Sequence, residues 1–120
     1  MQHSHDFIRL CEAARTRVPE VTVAEVAQML QDNTLPCLID VRETEEYAVG
    51  HLPQAHHLSK GWIEAKIHQL VPRKETKIVL YCGGGNRSLL AADNLKKMGY
   101  SNVFSMRGGY RGWIASLMEQ

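Results

Sequence analysis

Ile78-Val79-Leu80-Tyr81-Cys82-Gly83-Gly84-Gly85-Asn86-Arg87-Ser88 is the stretch that most restricts how this chain can fold. Four apolar residues run into a cysteine, and Leu89-Leu90-Ala91-Ala92 begins a helical pattern just beyond. That order predicts a buried strand, a tight loop and a helix. The cysteine then lies at the carboxyl end of the strand, and the loop lies at the N-terminus of the helix. Unpaired backbone N–H groups and the positive helix end favour an anion at such a place. A thiolate is an anion and is the nucleophilic form of cysteine. Glycine at 83, 84 and 85 permits positive φ and lets the backbone close round an ion. Asn86 suits a left-handed backbone or a helix cap. Arg87 can pair with an oxyanion or hold the loop, and Ser88 offers a hydroxyl in the first helical turn. A phosphate-binding P-loop is excluded because no Gly-Lys-Ser/Thr follows. A dinucleotide fingerprint lacks its third glycine at Ser88. A thioredoxin motif lacks the second nearby cysteine. A glycine-rich turn with an incidental cysteine is the bland alternative.

The rest of the chain reads as a scaffold for this loop. Phe7, Cys11, Ala14 and Val18 recur at helical spacing and predict an amphipathic helix that ends before Pro19. Cys11 falls on its apolar face, where a small packed hydrophobe is the expected role. Thr22 and Glu25 form a capping-box pattern. The helix they open points Val26, Met29 and Leu30 inward and stops near Asp32-Asn33. Cys37 to Val41 reads as a buried strand, with Cys37 in the core. A short helix over residues 43–47 and a turn over residues 50–55 follow. His56-His57-Leu58 reads as a short strand. Adjacent histidines on a strand point to opposite faces, so they make a poor metal pair, and none of the six histidines reads as a ligand. Ile63, Ile67 and Leu70 mark a helix ended by Pro72. After the opening stretch, Leu90, Ala91, Asn94, Leu95 and Met98 mark the inward face of its helix, with Gly99 placed just past the end. Val103 to Met106 is another strand, and Arg107-Gly108-Gly109 is a turn. A last helix runs from Tyr110 to Met118, with Trp113, Ile114 and Leu117 inward.

Short apolar strands alternating with helices predict an α/β fold with a parallel sheet. In such sheets the site lies off the carboxyl ends of the strands. Three of those ends hold unusual chemistry: Asp40-Val41-Arg42, Cys82 to Ser88, and Arg107-Gly108-Gly109. If these strands are neighbours, Arg42 and Arg107 lie near Cys82 as support, together with Asp40.

A length of 120 residues suits one domain, here read as an N-terminal helix over 1–20 packed on a domain over 21–120. The formal net charge is +1, with no basic stripe to suggest nucleic acid. No apolar run is long enough to span a membrane. The N-terminus lacks the basic and apolar regions of a secretory signal. Three scattered cysteines, at 11, 37 and 82, argue against a disulfide framework and for a reducing compartment, the cytoplasm.

The loop and two further stretches together resemble the single-domain rhodaneses, or thiosulfate sulfurtransferases. Asp40-Val41-Arg42 with Glu46-Tyr47 and Gly50-His51-Leu52-Pro53-Gln54-Ala55 resembles the family's first signature. Tyr81 to Ser88 resembles its active-site loop. Met106-Arg107-Gly108-Gly109-Tyr110-Arg111-Gly112-Trp113 resembles its closing signature. The resemblance covers roughly residues 21–117 and implies a central parallel sheet of about five strands, flanked by helices on both faces.

It also implies chemistry. Cys82 would take the outer sulfur of a small anionic donor such as thiosulfate and carry it as a persulfide. A thiophilic acceptor (cyanide, a thiol or a protein) would then remove it, in covalent ping-pong fashion. The backbone N–H groups of residues 83–88 would hold the transferable sulfur, and no metal or organic cofactor is required. Cell-division-cycle dual-specificity phosphatases share the fold but need Cys-x5-Arg to seat phosphate. Here the spacing from Cys82 to Arg87 is Cys-x4-Arg, and Ser88 stands where that arginine would fall. Gly83 stands where several thiosulfate-specific relatives place a basic residue, and it is similar to the glycine of mercaptopyruvate-using relatives. Two alternatives accompany the enzyme reading: a persulfide relay or sensing module serving a partner protein, and, more distantly, a phosphatase or arsenate reductase.

Overall fold

The computed structural model describes residues 2–119. Five strands form one parallel sheet: β1 (Glu20–Val21), β2 (Cys37–Asp40), β3 (His56–His57), β4 (Ile78–Tyr81) and β5 (Val103–Met106). Their spatial order is β1-β5-β4-β2-β3. Six helices connect and cover them: α1 (His5–Arg15), α2 (Val23–Asp32), α3 (Thr44–Val49), α4 (Ile63–Leu70), α5 (Asn86–Lys97) and α6 (Gly109–Met118). The expected α/β fold with helices on both faces is the one observed.

Strand alternation sorts the core into two layers. Cys37, Ile39, Ile78 and Leu80 pack with Ile63 and Ile67 of α4, Leu89 and Leu95 of α5, and Ala14 of α1. Leu38, Val79 and Tyr81 face the other way, against Val26 of α2, Trp113 of α6 and Leu52. Cys82 continues the alternation of β4 and falls in the first layer.

The sheet order places the loop. After β2 the chain moves outward to β3, whereas after β4 it moves the opposite way to β5. The carboxyl ends of β2 and β4 therefore flank a topological switch point, where an open crevice forms in α/β sheets. Register pairs Asp40 with Tyr81, so Val41 and Cys82 leave the sheet side by side and Arg42 follows one residue on, level with the first loop glycine.

Local expectations fare unevenly. The Thr22–Glu25 capping box is complete: Glu25 N–H donates to Thr22 Oγ1 at 3.0 Å, and Thr22 N–H donates to Glu25 Oε1 at 2.8 Å. Gly99 takes a left-handed φ of 102° just past α5. By contrast, β1 has no counterpart in the sequence reading. It is two residues long, held by Ser105 N–H to Pro19 O at 3.1 Å and Arg107 N–H to Val21 O at 2.8 Å.

The inward faces of the last two long helices also differ from expectation. In α5, Leu89, Ala92 and even Asp93 are buried, while Met98 is exposed. This helix is covered by the sheet, by α4 and by α1, so its buried arc is wider than one stripe. In α6, Ile114 and Leu117 are 36% and 47% exposed, and the inner face is Gly109, Gly112, Trp113 and Ser116. Small residues face inward because the helix lies close to its neighbours: a Cβ on Gly112 would stand 3.4 Å from Val23 Cγ2.

Candidate active site

The loop between β4 and α5 wraps the Cys82 sulfur. Gly85 N–H points at Cys82 Sγ at 3.1 Å, and Ser88 Oγ lies 3.5 Å from it. Cys82 is only 1% exposed. Of the three loop glycines, Gly85 alone has a left-handed backbone, with φ 107°. That turn aims its own N–H at the sulfur and makes Gly85 the N-cap of α5. Asn86, expected as left-handed or as a cap, is instead the first residue of α5. Gly83 and Gly84 serve by being small, since Cβ atoms there would meet the guanidinium groups of Arg87 and Arg111.

The loop's carbonyls are held from the opposite side. Tyr110 N–H donates to Cys82 O at 2.7 Å, and Arg111 N–H donates to Gly83 O at 3.0 Å. The first turn of α6 thus takes up two carbonyls that would otherwise repel an anion, and the orphan donors of a helix start are satisfied in the same stroke. Gly109 makes this approach possible. It has φ 58°, and a Cβ there would run into the Cys82 carbonyl and the Gly83 peptide.

Ser88 is fully buried, and its hydroxyl shares a 2.8 Å hydrogen bond with Ser105 of β5. One hydroxyl is therefore tied to the sheet while within reach of the sulfur.

Arg87 forms a forked pair with Glu46 of α3, at 2.9 and 3.3 Å. Glu46 is held below the ordinary carboxylate range, chiefly by this contact. Arg87 thus ties the loop to the scaffold while still lining the cavity above Cys82.

Asp40 and Arg42 brace the site from behind. The Arg42 guanidinium pairs with Asp40, at 2.7 Å from Nη2 to Oδ2, and donates to Gly50 O at 2.6 Å. Its charge lies 4.2 Å from the centre of the Tyr110 ring. Since Tyr110 N–H holds the Cys82 carbonyl, this buried pair supports the loop through Tyr110. Arg107 does not join them. It leans over β1 and approaches Glu20 at 3.4 Å, because β1 adds an edge strand with a carboxylate at that place.

The cavity over Cys82 has a volume of about 590 Å³. Glu46, Gly84, Asn86, Arg87, Arg111, His3 and Phe7 line it. Four of these were not singled out for the site from sequence, and Glu46 is one, brought to the loop by its fork with Arg87. Arg111 lies within the closing signature, where spacing alone does not show that α6 turns it over Gly84. His3 and Phe7 come from a segment far from the loop in sequence, and only the docking of α1 on α5 brings them there.

The other two cysteines are differently placed. Cys37 is buried in β2, and desolvation pushes its thiol up to about 11. Cys11 is also raised, mainly by burial, and its Sγ lies 3.9 Å from Asn86 O.

A five-stranded parallel sheet with a cysteine held in a strand-to-helix loop at its switch point defines an α/β domain of the rhodanese class. The chain belongs to that family: the Rhodanese-like domain model matches residues 22–116. A curated relative, "Putative sulfur carrier protein YrkF" of Bacillus subtilis, is 31% identical over 96 residues. The match covers 80% of this chain and 51% of that protein, so the chain spans about half the length of the relative. The solved human single-domain sulfurtransferase TSTD1 is 28% identical with a TM-score of 0.72, covering 82% of this chain and 96% of that one. RPA3614 of Rhodopseudomonas palustris, described as a protein of unknown function and possible tyrosine phosphatase, superposes with a TM-score of 0.83. It is 23% identical and covers 97% of this chain and 94% of that one, a likeness that shows the fold alone.

Proposed function

We propose that this protein is a sulfurtransferase that moves sulfane sulfur from thiosulfate, or a related small anionic donor, through a persulfide on Cys82. The observation behind this reading is the placement of Cys82 Sγ, 3.1 Å from Gly85 N–H, at the base of a cavity lined by Arg87 and Arg111. The Cys82 thiolate attacks the outer sulfur of the donor. The donor's S–S bond breaks, and its electron pair leaves with sulfite. The new Cys82 Sγ–S bond holds the sulfur under the loop N–H groups, which oppose negative charge without any reorganisation. A thiophilic acceptor such as cyanide then attacks the terminal sulfur, and the pair returns to Cys82. Arg111 lines the same cavity as the Arg87–Glu46 pair and supplies positive charge for the donor. Three free cysteines suit a reducing compartment such as the cytoplasm. The segment 1–20 is an appended helix on a domain of 21–120.

Intact mass measurement tests the reading. Thiosulfate should add one sulfur atom to the wild type, and cyanide should remove it as thiocyanate. Cys82→Ser should abolish both steps, whereas Cys11→Ser and Cys37→Ser should not. Persulfide formation that survives Cys82→Ser would end the assignment.

The sulfur-carrier description of the Bacillus subtilis relative supports a second reading, in which the persulfide is handed to a partner protein. A stable persulfide with slow thiosulfate–cyanide turnover favours it, and fast turnover favours the enzyme. Phosphate chemistry is disfavoured by the Cys-x4-Arg spacing and by Ser88, whose hydroxyl is tied to Ser105.

A further inference from the structure

We infer that Phe7 and His3 of the N-terminal segment are specificity residues, forming an aromatic wall that selects an organic thiol bearing a carboxylate as the sulfur acceptor. The inference rests on the sulfur-transfer reading above.

The cavity is far larger than its inorganic substrates need. A volume of about 590 Å³ lies within the range of pockets that enclose whole organic ligands, roughly 300–1,000 Å³. Thiosulfate or cyanide would fill a small part of it. The lining is also two-sided. Arg87 and Arg111 contribute cations, while Phe7 and His3 contribute aromatic rings. Such a pairing matches a molecule with an apolar body and an anionic group.

The wall is built rather than incidental. The Phe7 and His3 rings lie 4.8 Å apart between centroids. Ser4 caps α1 by accepting the Phe7 N–H at 3.1 Å, which fixes the turn that separates them. One turn further on, Cys11 is buried against Asn86 O, at the start of α5. At the far end of the helix, Arg17 forks onto Asp93 of α5 at 2.8 and 2.7 Å. Phe7 is therefore placed over the cavity by the cap that starts its helix and by the docking of the rest of that segment on α5. The family match begins at residue 22, so this wall comes from outside the matched residues.

The step it serves is balanced without a redox partner. The acceptor thiolate, its proton already lost to water, attacks the terminal sulfur of the Cys82 persulfide. A new S–S bond forms on the acceptor, the Cys82 Sγ–S bond breaks, and the electron pair stays on Cys82.

Thiosalicylate, an aromatic thiol with a carboxylate, is the probe, with cyanide as the reference acceptor. Phe7→Ala should lower the ratio of kcat/KM for thiosalicylate to kcat/KM for cyanide by about tenfold, the scale at which apolar contacts discriminate. Phe7→Leu should fall between Phe7→Ala and wild type, and His3→Ala should shift the ratio the same way. Thermal unfolding checks that each variant is folded. An unchanged ratio in folded Phe7→Ala and Phe7→Leu overturns the inference. If thiosulfate adds no sulfur to the wild type, the sulfur-transfer reading has failed instead. Calorimetric binding of the S-methyl ether of thiosalicylate then decides the wall on its own. Weaker binding to Phe7→Ala than to wild type upholds it, and equal binding overturns it.

Discussion

Gly83 lies in the Cys82 loop and Gly109 packs against it, and they should tolerate a methyl group to very different degrees. A Cβ on Gly83 would meet only side-chain ends, Arg87 Nη2 at 3.1 Å and Arg111 Nη1 at 3.4 Å. Those groups can shift, so Gly83→Ala should cost under about 1 kcal/mol of stability while disturbing donor kinetics through the displaced cations. A Cβ on Gly109 would strike the Cys82 carbonyl and stand 2.7 Å from the Gly83 carbonyl carbon and oxygen, all of it backbone. The position also has φ 58°, which costs an L-residue further. Gly109→Ala should lose at least about 2 kcal/mol in urea unfolding, with sulfur transfer lost alongside. Equal stability of the two variants would refute this account of the clamp. At this scale the sequence was informative about the candidate nucleophile and less so about its support. Cys82 and its glycines are contiguous, so their joint role is visible in a line of text. Glu46 and Tyr110 act on the loop across long sequence separations, through a side-chain fork and a single N–H, and spacing holds no trace of either.

Helices whose cores are large apolar residues were readable as elements; helices that pack through small residues or ion pairs misled as to their faces. In α6 the apolar positions Ile114 and Leu117 look outward, because Gly109, Gly112 and Ser116 let the backbone come close. In α5 the carboxylate of Asp93 is only 8% exposed, because Arg17, just past the end of α1, covers it. β1 escaped because two residues cannot show a period. The Arg17–Asp93 fork makes the docking of α1 depend on pH. Asp93 is lowered below its ordinary value, first by the hydrogen bonds from Arg17. A carboxylate lowered on folding stabilises the fold above its unfolded pKa, about 3.9, and that contribution is lost as pH falls through the folded value. Arg17→Gln should therefore be less stable than wild type at neutral pH, and the gap should close in acid. Urea midpoints for both proteins across a pH series measure it. A gap that stays constant into acid would mean that Arg17 acts by packing and not by charge.

The whole molecule has a formal charge of only +1 over extents of 38 × 35 × 27 Å, too little for its overall field to draw in an anion. Attraction of a dianionic donor must then be local. Among the cations lining the cavity, Arg87 is already paired with Glu46, whereas Arg111 has no ion-pair partner among the described residues. Arg42 is spent behind the loop on Asp40, and Arg107 approaches Glu20. The salt response of donor capture should therefore reside in one side chain. Arg111 is exposed, so its contact with the donor is weakened by solvent, and about 1 kcal/mol is a fair upper scale for such a charge pair. Arg111→Gln should lower kcat/KM for thiosulfate by about fivefold at low ionic strength. The two proteins should converge near 1 M salt, where the screening length shrinks to about 3 Å. The comparison requires only initial rates for both proteins along a salt series. Parallel salt slopes would show that the attraction is spread over the surface, and that the cavity's charge balance is not what admits the donor.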